Sequence, residues 1–465
     1  MTNKDNLRLT GKIFATGIMS FCGVVSETAM NVTFPTLMEE FSVDTSTVQW
    51  ITTGYLLVLS LVITLSSYLK RNTSQRTLFL IAIGSFICAT LACFLAHNFP
   101  LLMAGRMVQG VGTGIALPLM FNIILTEAPR EKIGTFMGVG MLITAVAPAV
   151  GPVLGGFVVD MFGWRYIFLS LLPLLLLSLF VGGRLIKRTV PTERSRFHLM
   201  DYLLIVVGYT TFILALVKAS SAGWLSTVVM VLLLVAVVAM AWFVFQARRE
   251  EHPLLRPDVL HHGRFMLALC AILVAQFTVL ALGYAIPNYS QIANHTNAFT
   301  AGLLLVPGCV VGAIISPLSG RLLDKVGARI PIITGYGFMF LATALFAWQG
   351  TALTTEKFFV IYVVFTIGQG LSCGNALTFG LSQLPKELTA DGNALANSFQ
   401  QLAGAMGTAV VSTIVASAQR AADAALFSEA TAEGSQHAFA VLTLMMLVAF
   451  LCCCVMTGKK KQSVK

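Results

Sequence analysis

Fourteen apolar runs, each long enough to cross a bilayer, follow one another along this chain. They lie near residues 13–35, 47–69, 77–97, 100–126, 134–158, 164–186, 199–219, 224–246, 266–291, 300–322, 330–350, 356–382, 391–417 and 437–457. A helical span needs about 20 mostly apolar residues. No water reaches the hydrocarbon layer, so each run must satisfy its own backbone groups and is expected to be a helix. Charged residues make up only 11% of the chain, against about 25% in a soluble protein. The expected fold class is therefore an all-α integral membrane protein.

An even number of spans puts both termini on one side. The positive-inside rule assigns that side to the cytoplasm. Arg165, Lys218, Lys357 and Arg420 fall on the outer side and Arg106 within a span, while the rest of the 30 Lys and Arg residues fall on the inner side. The net charge of +10 is thus topological and implies no nucleic-acid partner. The nine cysteines show neither a CxxC pair nor zinc spacing. The first run is too long for a signal-peptide core and lacks a cleavage site, so no cleavable leader is expected.

The spans group as six, two and six. Residues 1–188 make one bundle, residues 189–264 carry two further spans between basic stretches, and residues 265–465 make a second bundle with a short basic tail. Gly320–Arg329 follows the second span of the last group, and Ser66–Arg76 holds the matching place in the first, with the basic residues kept and the acid lost. Two related bundles with a site at the bilayer midplane are the architecture of a transporter.

Glu27 is the carboxylate placed well inside a span. A buried, unpaired charge there is expensive, so the side chain should face the bundle interior. It suits proton coupling or cation recognition; the alternative is a structural acid paired with a buried base. Arg106 is the natural partner. At a 1.5 Å rise per residue, Glu27 lies about 12 Å and Arg106 about 9 Å from the outer ends of their spans. They can interact if spans one and four adjoin. A permanent salt bridge would suit structure, and an intermittent one would suit proton coupling. Gln109 can hydrogen-bond across helices, and Gly110 with Gly114 forms a GxxxG pair that permits close backbone approach.

The run Ala147–Gly156 holds two prolines and three glycines inside a span. Such a run should be a bent helix in close contact with a partner. Ala147, Gly151 and Gly155 form one smooth stripe, Pro148 and Pro152 the next, and Gly156 ends the run. A hinge and seal is the expected role. Asp324 and Arg329 stand at an inner turn, where Asp324 can cap the following helix or pair with a base as a conformational latch. Trp164 and Arg165 open span six, where an interfacial aromatic anchor is expected.

Polar residues within spans are the candidates for lining a substrate cavity. They are Asn31 and Asn122 in the first bundle, then Gln276, Tyr284 and Asn288 in span nine. Gln369 and Asn375 follow in span twelve, with Asn397 and Gln401 in span thirteen. No phosphate loop, HExxH or nucleophile motif occurs. Neither an enzyme, a metal nor a cofactor is expected.

These motifs resemble the major facilitator superfamily, in particular the fourteen-helix drug:proton antiporters of the EmrB/QacA type. The resemblance runs from about residue 13 to 457. It rests on Gly151-Pro152 with Gly155-Gly156 in span five; on Arg106, Gln109, Gly110 and Gly112 in span four; and on the Gly320–Arg329 loop. Phe162–Phe168 and Glu27–Pro35 add to it. It implies a major facilitator fold of two six-helix bundles plus two inserted linker helices. It also implies export of small amphipathic compounds through a bacterial-type cytoplasmic membrane in exchange for protons, with both termini cytoplasmic. The proton gradient would drive transport without a cofactor, and no envelope adaptor is specified. The first-half loop departs from the family in lacking its Asp, and Gln400 stands where relatives often carry Arg. Export or symport of a physiological metabolite, lipid or peptide is the alternative function.

Overall fold

The computed structural model describes residues 3–30, 33–43, 45–48, 50–187, 197–250, 253–254, 256–296, 298–421 and 426–458. Among them are 17 α-helices and no strand. The first ten are α1 (Asn3–Met30), α2 (Phe34–Phe41), α3 (Thr45–Val48), α4 (Trp50–Asn72), α5 (Gln75–Phe94), α6 (Phe99–Glu127), α7 (Ile133–Phe162), α8 (Arg165–Leu185), α9 (Leu199–Ala222) and α10 (Thr227–Ala247). The others are α11 (Gly263–Ile292), α12 (Ala298–Leu303), α13 (Val306–Val326), α14 (Arg329–Gln349), α15 (Thr355–Ser382), α16 (Thr389–Ala421) and α17 (Phe427–Met456). Fourteen segments are long and apolar enough to cross a membrane, as the sequence predicts.

Several span boundaries differ from the sequence reading; the last span, for one, begins at Phe427 rather than near residue 437. The first span is Leu7–Met30 rather than 13–35, because Pro35 opens a new short helix, α2. Proline fits a first helical turn, where its missing N–H is not needed. Asn31 falls between the two helices, outside the described residues. The thirteenth span begins earlier than residue 391, at Lys386, which brings Asp391 inside a helix.

Local chemistry sets several helix ends. Asn98 caps α6 by accepting from Leu101 N at 2.9 Å, and Ser74 caps α5 by accepting from Thr77 N at 3.2 Å. The two prolines of α7 lie within one continuous helix. It stops at Gly163, whose φ of +93° turns the chain toward α8.

The chain forms two compact units. The first comprises residues 1–129, 143–258 and 386–402; the second comprises 130–142, 259–385 and 403–465. In the first, α6 packs on α1, α4 and α5, α8 packs on α1 and α5, and α9 pairs with α10. In the second, α15 packs on α11, α13 and α14, and α17 packs on α11 and α14. Burial separates central from peripheral helices: 83% of the most apolar stretch of α6 is buried but only 22% of that of α10. α10 exposes Val231, Leu234, Val238 and Trp242, an apolar face that lipid can cover.

Trp164 is not an interfacial anchor. It is 2% exposed and packs among Met30, Leu37 and Phe168. Its Nε1 donates to Glu40 Oε2 at 2.7 Å, while Arg165 Nη2 reaches Glu40 Oε1 at 2.6 Å. The indole is drawn inward because α2 supplies this acceptor. Partial burial pushes the Glu40 carboxyl up, but the bonds from Arg165 and Trp164 and the guanidinium charge outweigh it. The net effect holds the group below the ordinary carboxylate range. A depressed carboxylate contributes stability above its unfolded value, about pH 4.3, and loses it as pH falls through the folded value. Glu40→Gln should therefore lower the thermal midpoint in detergent at neutral pH, and the gap to wild type should close under acid. A gap that does not change with pH contradicts this account.

Candidate functional site

The centre of the first unit holds a buried polar cluster built on Arg106. Arg106 sits two turns into α6 and is fully buried. Its Nη1 donates to Ser26 Oγ and to Gln109 Oε1, both at 2.7 Å. Gln109 in turn donates from Nε2 to Thr90 Oγ1 at 2.9 Å. The guanidinium carbon lies 4.4 Å from the centroid of the Tyr55 ring, a cation–π contact of about 0.5–2 kcal/mol. Tyr55 donates to Gly23 O at 3.0 Å and to Thr113 Oγ1 at 2.9 Å. Helices α1, α4, α5 and α6 thus meet around one cation.

Spans one and four do adjoin, as the Glu27–Arg106 interaction requires. Ser26 takes the direct bond, and Glu27 is the next residue along α1. Among the described residues no salt bridge holds the Glu27 carboxylate; Arg106 acts on it through space. Glu27 keeps some accessible surface while Ser26, Arg106 and Gln109 have none. Arg106 Nε and Nη2 have no hydrogen-bond partner among the described residues. Two donors thus stand beside an accessible acid that they do not hold.

Glycines let these helices close up. A Cβ on Gly110 would meet Tyr55 O at 2.8 Å, and one on Gly114 would meet Leu59 O at 2.9 Å, both on α4. On α7, a Cβ on Gly151 would fall on Thr28 Oγ1, and one on Gly155 would meet Ala29 O at 2.9 Å. Ala147, Gly151 and Gly155 are all buried. The smooth stripe therefore lies against α1 one residue beyond Glu27. Pro148 is half-buried and Pro152 exposed, and Gly156 has open space where its side chain would be.

A second network lies at the end of α4. Asp391, fully buried in the first turn of α16, accepts from Ser67 Oγ at 2.6 Å and pairs with Arg71 Nη1 at 3.2 Å. Arg71 Nη2 also donates to the carbonyls of Pro253 and Leu254 at 2.9 and 3.1 Å. Ser66–Arg76 lacks its own acid in the sequence, and Asp391 supplies it from 320 residues away. Sequence reasoning missed Asp391 because it stands at the edge of an apolar run; its one local signal is an acid in a first helical turn. Removing one member of a buried pair costs about 3–5 kcal/mol, whereas replacing both can be neutral. Asp391→Leu should therefore sharply lower the thermal midpoint, and Arg71→Met in the same chain should restore much of it. No recovery in the double variant contradicts the pairing.

In the second unit, Asp324 accepts from Gly134 N at 2.9 Å and from Thr135 N and Oγ1 at 3.0 and 2.7 Å. It thus caps the start of α7. The helix that follows it, α14, has Ala328 at its N-cap, so the sequence expectation of a local cap is corrected. The first turn of α7 offers free N–H groups, and close glycine packing brings it near: a Cβ on Gly320 would fall on Gly134 O. Arg329 is exposed.

Within the first unit, two of the cavity candidates share one network. Asn393 Nδ2 donates to Asn122 Oδ1 at 3.3 Å, and Asn397 Nδ2 donates to Asn393 Oδ1 at 2.8 Å, so Asn122 and Asn397 meet through a residue the sequence reading passed over. Asn375 is spent on structure, donating to Ser319 Oγ at 2.6 Å and Leu371 O at 2.9 Å. Gln276, Tyr284 and Asn288 are half-buried at fourfold spacing along α11, with Gln369 on α15 and Gln401 on α16.

Residues 16–408 match the model of the Major Facilitator Superfamily. The lincomycin resistance protein LmrB of Listeria monocytogenes is 35% identical over 95% of each chain. LmrB of Bacillus subtilis is 33% identical over 93% of each, and the multidrug resistance protein Stp of Mycobacterium tuberculosis is 26% identical over 87% of this chain and 75% of its own. Among solved structures, the human organic anion transporter MFSD10 matches with a TM-score of 0.66 over 96% of this chain and 99% of its own, at 12% identity. The proton:xylose symporter XylE matches at 0.65 over 96% and 95%, at 14% identity.

Proposed function

This chain belongs to the major facilitator superfamily and is a multi-pass transporter, not an enzyme; from that premise we propose that it exports amphipathic drugs, cationic or neutral, in exchange for protons. The direction of export draws on the resistance proteins it resembles over nearly its whole length. The coupling draws on one observation: an accessible acid, Glu27, held by no salt bridge among the described residues, beside a buried guanidinium with two donors unused among them.

Deprotonated Glu27 is drawn toward Arg106 Nε and Nη2, or toward a cationic substrate. Protonated Glu27 loses both attractions. Proton and substrate therefore compete for one carboxylate, which is the requirement for exchange. Ser26, Gln109 and Tyr55 keep Arg106 in place through the cycle. The glycine contacts of α7 with α1 carry the change to the rest of the first unit, and alternating access follows from rocking of two bundles. The proton gradient supplies the energy, no cofactor is needed, and both termini lie in the cytoplasm.

The test is purified full-length chain in proteoliposomes with a pH-sensitive dye inside. Addition of an amphipathic cation to acid-loaded vesicles should release protons, and imposing a pH gradient should drive uptake of the drug. Drug movement indifferent to the gradient would overturn the coupling. Proton movement with a physiological metabolite but with no amphiphile would favour the alternative substrate class.

A further inference from the structure

The pair of helices α9 and α10 carries a side-chain cluster that transport does not use. His198 is the N-cap of α9, Asp201 lies in its first turn, and Glu250 stands three residues past the end of α10. One ligand atom from each lies within 4.8 Å of the others. We propose that His198, Asp201 and Glu250 bind a first-row divalent cation, with Zn²⁺ the best fit.

Asp201 is fully buried, yet among the described residues no donor reaches either of its carboxylate oxygens or Glu250 Oε2, and its side-chain neighbour is the Glu250 carboxyl itself. Buried carboxylates are normally paired, hydrogen-bonded or bound to metal. Here two acids converge with unused lone pairs, and a cation satisfies them together. The donor set selects the metal: one imidazole with two carboxylates suits zinc, whereas magnesium and calcium prefer oxygen alone. Zinc takes such ligands at about 2.0–2.2 Å, so the cluster needs only a side-chain contraction around the ion. His198 Nδ1 and Glu250 Oε1 are already 2.9 Å apart, and zinc replaces the proton between them. The bound ion would tie the start of α9 to the exit of α10.

The test uses the full-length chain in detergent, with its affinity tag removed. The cysteines are free and compete for zinc, so they are first alkylated. Zinc bound after dialysis is counted by mass spectrometry, and its affinity is measured by calorimetry with zinc chloride. One ion per chain is expected, with binding weakened in Asp201→Asn and in His198→Gln by at least the roughly 100-fold that loss of an outer-shell partner can cost. Glu250 lies outside the helices, so Glu250→Gln provides a variant that keeps the fold if the others do not. The same weakening there supports the site. Absence of zinc from wild type, or equal binding in folded variants, overturns it. So does zinc-independent stabilisation by Asp201→Asn, which would mark a shared proton instead of a metal.

Discussion

Glu27→Gln should abolish drug-driven proton release, bringing it down to the leak of protein-free vesicles, while the chain still inserts and purifies as a single species. The amide keeps the shape of the side chain but can neither lose a proton nor attract Arg106 as an anion. Folding should survive because no salt bridge depends on Glu27 among the described residues. Arg106 keeps its bonds to Ser26 and Gln109 and its seat over Tyr55. Drug binding and proton release therefore separate: a neutral amphiphile should still bind the variant. Full drug-driven proton release by Glu27→Gln would refute the role of the carboxylate.

Gly151→Leu should block transport at the opposite kind of site, one with no titratable group. Even a methyl there falls on Thr28 Oγ1, and Ala29 N lies 3.1 Å from the position of the new Cβ. The branched side chain must drive α7 away from α1. Overpacking costs about 1–3 kcal/mol; borne by one conformer only, that shifts a two-state balance by about 5–150-fold. Turnover should fall on that scale with membrane insertion retained. Gly156→Leu provides the contrast, since open space surrounds Gly156, and should transport nearly as wild type. Comparable losses in both variants would contradict the contact reading.

The lipid environment explains why so much of the fold is legible. It forces each apolar run into a helix, so 14 runs become 14 spans. The stripe of Ala147, Gly151 and Gly155 is equally legible, because a four-residue period on a helix is a surface and small residues mark where a neighbour fits. The matched depths of Glu27 and Arg106 are legible too, although only the packing of α1 on α6 brings the two together. What stays hidden is partnership across the chain. Arg71 finds its acid on α16, and Asp324 finds its N–H groups on α7 rather than on the next helix, because packing set their neighbours. Trp164 reads as an interface residue until α2 supplies Glu40. Asn393 carries no signal in an Ala- and Asn-rich stretch, yet it joins Asn122 to Asn397.

The pairing of Arg71 with Asp391 also bears on how the protein is made. Arg71 leaves the ribosome 320 residues before its partner. At about 5–20 residues per second, that interval lasts roughly half a minute. Throughout it, a guanidinium destined for burial must stay hydrated or borrow another anion. The first compact unit is thus unfinished until α16 has been synthesised, and a chain cut after α8 lacks Asp391 as well as the Pro253 and Leu254 carbonyls. Assembly of this transporter closes backward, with a late helix completing the part that was translated first.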